Sequence, residues 1–176
     1  MTKAKEQERS GGRPYKTNPW TFCLMLGIYA GVIWGLMRWL MNIVNFTSVI
    51  PGFLLEPFFR RSFLETYWGV LLGLGSFIVF SIVAAYVYKA LLGKFTGPWA
   101  GIVYGLLWWG VLFASVGPLL GLMAPLQQLG WNTVIAELCV FTVWGLFIGF
   151  TIAFEFNNEE SREPMEAAGG PARRQT

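Results

Sequence analysis

The sequence predicts an all-α polytopic membrane protein, a bundle of four transmembrane helices with a short interfacial helix in the first outer loop. Three observations carry that expectation. Of 176 residues, 55% are hydrophobic and 13% charged, against roughly 25% charged in an ordinary soluble domain. The charges gather before Trp20, around Arg60 and Arg61, at Lys89 and Lys94, and after Phe154. The four apolar stretches left between them each reach the roughly 20 residues that a helix needs to cross hydrocarbon.

The stretches run over residues 20–41, 68–88, 99 to about 120, and 133–156. Backbone amides find no water partner in lipid, so each must be helical or part of a closed barrel. Runs this long without period-two alternation exclude the barrel. The first is too long for the apolar core of a signal peptide, and no small-residue cleavage site follows it. A disordered basic cytoplasmic tail (1–18), a membrane domain (19–156) and a second disordered cytoplasmic tail (157–176) are expected, because both ends are rich in Gly, Pro, Glu, Arg and Lys and poor in aromatics.

Span one opens with "TNPW", in which Asn18 is placed to cap and Pro19 to take the first helical position. "TGPW" before span three repeats that pattern. Tryptophans 20, 39, 68, 99 and 131 fall at span ends, where an amphipathic ring prefers the headgroup level, and Trp34, Trp108, Trp109 and Trp144 are read as core. In the first outer loop, "PGFLLEPFFRRSFLETY", Pro57 suits a helix start. Phe59, Phe63 and Val70 then share one face, and Arg61 and Glu65 another. Glu56 is expected to cap this interfacial helix or to meet an external ligand. The short segment "KFTGPW" makes spans two and three antiparallel neighbours, and "MAPLQQLGW" carries no charge into the outer interface.

Orientation follows from Lys and Arg, which are retained in the cytoplasm near span ends. Lys3, Lys5, Arg9, Arg13 and Lys16 precede span one, Lys89 and Lys94 flank the second connection, and Arg162, Arg173 and Arg174 end the chain. Both termini are therefore expected in the cytoplasm of a multi-pass cell-membrane protein. The net charge of +3 is accounted for by these flanks, and no nucleic-acid partner is expected.

Small residues four apart let membrane helices approach closely. Span one has Gly27, Gly31 and Gly35, span two Gly69 and Gly73, span three Gly97, Gly101 and Gly105, and span four Gly145 and Gly149. Such stripes point to a compact bundle or to association with a second copy or another membrane protein. Arg38 lies seven residues after Gly31, about 20° around the helix, and so points into the bundle. Glu137 enters span four at a similar depth. An Arg38–Glu137 pair is the first expectation, with Glu56 as the competing partner, and the three form the candidate polar cluster.

The chain has no histidine and no aspartate, which removes the commonest metal ligand, the usual general base and every Ser-His-Asp arrangement. No enzyme, catalytic residue, metal or cofactor is expected. Glu137 and Glu155 share a face about 27 Å apart along the axis, near opposite surfaces, whereas an ion pathway places an ionisable group near the middle. Cys23 and Cys139 lie at unmatched depths and are read as packed thiols, and Asn45-Phe46-Thr47 fits a glycosylation acceptor. At an offset of 79 residues span one resembles span three ("NPW" on "GPW", "YAGVIWG" on "WWGVLFA"), which suggests a 2+2 duplication. The favoured function is a noncatalytic membrane protein that binds a partner or a lipid. The alternative is a small transporter or channel component with an outer-facing polar pocket around Arg38, Glu56 and Glu137.

The order "NFT", "LLEPF", "YGLLWWG", Asn132–Thr133 and "GLFIGFTIAFEFN" on four spans with basic ends resembles the YqhR family of small membrane proteins from bacilli and relatives, over about residues 20–157. The most specific pieces are "LLEPF" and "GFTIAFEF". The resemblance implies an integral cell-membrane protein and supplies no catalytic set.

Overall fold

The structure, a computed structural model, describes residues 18–93, 95, 97–121 and 128–167, the last eleven by backbone. Six α-helices and two variant turns make up its regular structure, with no strand among the described residues: α1 (Pro19–Ile43), a 3-10 turn (Phe53–Leu55), α2 (Arg61–Leu64), α3 (Tyr67–Leu92), α4 (Pro98–Gly110), a π-helical stretch (Val111–Val116), α5 (Gly117–Leu120) and α6 (Trp131–Ala167). Four segments are long and apolar enough to cross a membrane: Pro19–Ile43, Tyr67–Leu92, Pro98–Leu120 and Trp131–Phe156.

The start of α1 has the expected chemistry: Asn18 Oδ1 accepts from the Trp20 amide at 3.3 Å, with Pro19 in the first turn. The third span starts differently. Gly97 itself is the cap residue, with no side-chain bond and φ of 140°, a conformation open to glycine because it has no Cβ. Near the end of that span, Pro118 has no N–H to offer the carbonyl of Ala114. The helix widens into the π-helical stretch in the turn before it.

Two glycine seams organise the bundle. In the first hairpin, Gly27, Gly31 and Gly35 of α1 press on Ile82, Ile78 and Leu74 of α3, so that a Cβ built on Gly31 would stand 2.5 Å from the Ile78 Cα. In the second, Gly101 and Gly105 of α4 face Gly145 and Gly149 of α6, and a Cβ on Gly149 would stand 2.5 Å from the Gly101 Cα. Gly69 and Gly73 do not serve a helix–helix seam as expected; the chain of residues 51–52 lies against Gly73 and that of 63–64 against Gly69. Gly97 meets no neighbour, because it lies before the helix. Spans two and three are neighbours through large side chains, with Tyr104 Oη donating to the Ala84 carbonyl at 2.7 Å and Trp108 edge-on to Phe80.

Between the hairpins the midplane is filled by rings. Trp144 is fully buried among Phe77, Phe80, Tyr104 and Phe141, and its Nε1 donates to Ser81 Oγ at 3.1 Å, which satisfies the one polar handle such a ring carries inward. Trp20, Trp39, Trp68, Trp99 and Trp131 are exposed.

Several expectations need correction. The short helix of the first connection spans only Arg61–Leu64 and is cut off from α3 by a break at Thr66, and Pro57 starts no helix. Cys139 is exposed, not packed; two residues from inward-facing Glu137, it is turned about 200° around α6. The last helix does not stop at 156 but continues to Ala167. Residues 157–167 include Glu159, Glu160, Arg162, Glu163 and Glu166, good helix formers, and no glycine, and the helix runs on through Pro164. The tail segments 1–17 and 168–176, Lys94, Thr96 and residues 122–127 lie outside the described residues.

Candidate functional site

The end of the bundle that carries residues 44–66, here the loop end, holds the polar cluster. Arg38 reaches it from the inward face of α1, five residues before Ile43, and Glu137 from α6, six residues after Trp131. Arg38 Nε donates to Glu137 Oε2 at 2.9 Å, with the side chains only 3% and 1% exposed. Thr47 Oγ1 donates to Glu137 Oε1, also at 2.9 Å, so each carboxylate oxygen has a protein partner. The guanidinium lies 4.3 Å from the centre of the Phe53 ring, with the rings of Phe77 and Phe141 slightly farther off. A desolvated cation over an aromatic face is held by the ring quadrupole.

The loop explains why these groups gather. After α1 the chain turns at Asn45, which adopts the left-handed conformation (φ 56°), and residues 47–53 fold back into the bundle. Thr47, Val49, Ile50, Pro51, Gly52 and Phe53 are all buried. Irregular backbone at membrane depth is tolerated only where protein satisfies its amides and carbonyls, and side chains do so here. Asn42 Nδ2 donates to the carbonyls of Thr47 (3.3 Å) and Val49 (3.4 Å). The Val49 amide donates to Thr47 Oγ1 and the Ser48 amide to Thr133 Oγ1 at 3.1 Å. Gly73, with no Cβ, lets the backbone of Pro51 and Gly52 come against α3.

Of the three predicted cluster residues, the structure brings together Arg38 and Glu137 and leaves Glu56 outside. Glu56 closes the 3-10 turn and pairs with Arg61 at 3.6 Å, while Arg61 also meets Glu65 at 3.2 Å. Partial burial pushes the Glu56 carboxyl above its ordinary range; Arg61 pulls it part of the way back and Glu65 adds to the rise. Sequence reasoning missed Asn42, Thr47, Ser48, Thr133 and Phe53. The available signal was the four polar residues Asn42, Asn45, Thr47 and Ser48 within seven positions at the end of an apolar span, of which the glycosylation pattern took only part. The Thr47 hydroxyl is buried on Glu137.

Four bilayer-length helices in two glycine-sealed hairpins, tied by an ion pair under a folded-in loop, define a multi-pass integral membrane protein with an aromatic core. The chain belongs to the family described as "Conserved membrane protein YqhR", whose model matches residues 3–167 and so extends into both tails, beyond the 20–157 expected from motifs. It is similar to "Uncharacterized protein YqhR" of Bacillus subtilis (strain 168), with 29% identity over 143 residues that cover 81% of this chain and 80% of that protein. No solved structure matches.

Proposed function

We propose that this is a noncatalytic protein of the cell membrane, with both termini in the cytoplasm, that holds a fixed outer face for a partner protein or a lipid. The observation that carries the reading is the folded-in loop. By anchoring residues 47–53 on Arg38, Asn42, Thr133 and Glu137, the bundle positions the following segment, in which Phe58, Phe59, Arg60 and Phe63 are exposed. Aromatic and arginine side chains are the types that dominate contact energetics at interfaces. The basic residues that flank span one and the second connection support the orientation, since Arg38 is neutralised within the bundle and only Arg60 and Arg61 remain at the opposite end.

The carrier alternative needs an open polar pocket. The place it would occupy holds Phe53 and Thr47, and Glu56 points away to Arg61. A photocrosslinking residue in place of Phe58 in intact membranes, followed by mass spectrometry, is expected to give adducts that one in place of Leu72 on the lipid-facing side of α3 does not. Recovery of the protein alone, with pH-dependent ion flux in liposomes, would overturn the proposal in favour of transport.

A further inference from the structure

The α1–α6 contact has no glycine seam. The two helices are bridged by long side chains: Arg38 to Glu137 near the loop end, Trp34 on Phe147 with ring centres 5.0 Å apart, and Phe22 edge-on to Phe156 at the far end. Helices bridged in this way stand farther apart than helices in backbone contact, and a groove of about 430 Å³ remains between them. Met37, Leu40 and Met41 of α1 and Cys139, Val140 and Val143 of α6 line it, with Ile33 and Trp34 toward the midplane. Most of these side chains are exposed, so the groove opens sideways from the protein.

Its vertical extent identifies the occupant. On α1 the lining runs from Met41, two residues from the helix end at Ile43, to Ile33, ten residues away, or from about 3 to about 15 Å of depth at 1.5 Å per residue. On α6 it runs from Cys139 to Val143, eight to twelve residues from Trp131, or from about 12 to about 18 Å. One leaflet of a hydrocarbon layer about 30 Å thick is about 15 Å deep. The two walls together therefore extend over one leaflet, α1 along most of it and α6 along its inner part, and the Trp34–Phe147 contact stands at the inner end. A transmembrane helix from a second copy or a partner crosses both leaflets and would be matched over only half its length. A single acyl chain starts at the headgroups and ends at the midplane.

The geometry points to a binding site for one acyl chain of a phospholipid in the loop-end leaflet. Two methionines on the wall suit a flexible chain, because the unbranched thioether adapts its shape to what it meets. The site selects by chain and not by headgroup charge, since its lining carries no ionisable group apart from the Cys139 thiol. It lies apart from the outer face proposed above, and either can fail without the other.

The test uses the full chain in liposomes of phosphatidylcholine carrying a diazirine near the middle of one acyl chain, with adducts mapped by mass spectrometry after irradiation. Labelling of Met37, Met41 and Cys139 is expected to exceed, several-fold, that of Leu72 and Val79, which are exposed on α3 at similar depths. Val143→Trp, which fills the midplane end of the groove, is expected to bring labelling at Met37 and Cys139 down to that of Leu72 with the melting temperature retained. Even labelling of groove and control positions in the unsubstituted protein overturns the site, whatever the variant does. Oxidative crosslinking of Cys139 between two copies, abolished by Val143→Trp, overturns it in favour of a self-association surface.

Discussion

The two hairpins solve the same packing problem with different glycines at different depths. In α1 and α3 the seam is one-sided, with three glycines on one helix receiving the Ile82, Ile78 and Leu74 ridge of the other. In α4 and α6 it is two-sided, glycine against glycine. The first seam lies eight to sixteen residues into its helix, and the second only three to seven residues after Pro98, or about 12 to 24 Å and about 5 to 10 Å deep. The second hairpin is thus tight near the chain termini and widens toward the loop end, where Leu112, Phe113 and Phe141 fill the gap. The first is tight at mid-membrane and must close its loop end by other means, which the folded-in loop supplies. A seam can be closed by removing side chains from both helices or by letting one helix's ridges enter the other's bare stripe; a Cβ on Gly27, Gly31, Gly145 or Gly149 would meet backbone first, and one on Gly35 a side chain.

The largest test of this contrast is the ion pair that joins the hairpins. Arg38→Ala is expected to destabilise by about 3 to 5 kcal/mol, because Glu137 is left buried and uncompensated, read as a fall in melting temperature in detergent. Adding Glu137→Gln should restore part of it, whereas independent, additive losses would refute the coupling. Next come the seams. A Cβ on Gly145 meets only backbone, of Gly105 and Gly101, whereas one on Gly35 meets first the flexible end of Leu74. Gly145→Ala should cost up to about 3 kcal/mol, and Gly35→Ala no more than about 1 kcal/mol because Leu74 can move aside. Equal losses would erase the distinction between a glycine against backbone and one against a movable side chain. Gly75 of α3 has open space where a Cβ would go, and Gly75→Ala should stabilise by about 0.5 to 1 kcal/mol through helix propensity alone.

The smallest effect concerns pH and belongs to the first hairpin, since the turn of the second, 121–130, contains no charged residue. A carboxyl raised in the folded state binds its proton more tightly there than when unfolded. The Glu56 contribution is therefore present below its ordinary value of 4.5 and is lost as pH rises from there through the folded value. Glu56→Gln should flatten that part of the stability–pH curve slightly, and an unchanged slope would assign it to other groups.

The suggested internal duplication fares differently in sequence and structure. At an offset of 79, Pro19 falls on Pro98 and both open helices, but Gly31, which is packed, falls on Gly110, which has nothing near it. The starts correspond and the seams do not, so any shared origin has been overwritten in the packing.

By itself the sequence determined the number of crossings, the cap at Asn18, the family and the inward direction of Arg38 with Glu137 at matching depth. These follow from segment length, local chemistry and helical period, which are properties of one helix at a time. Which glycines face a helix and which face a loop, the departure of Glu56 to Arg61, the burial of Thr47 and Phe53, and the groove beside Cys139 were decided by tertiary structure alone. Each depends on how far apart two helices stand and what the chain between them does with the gap, and no single helix carries that distance.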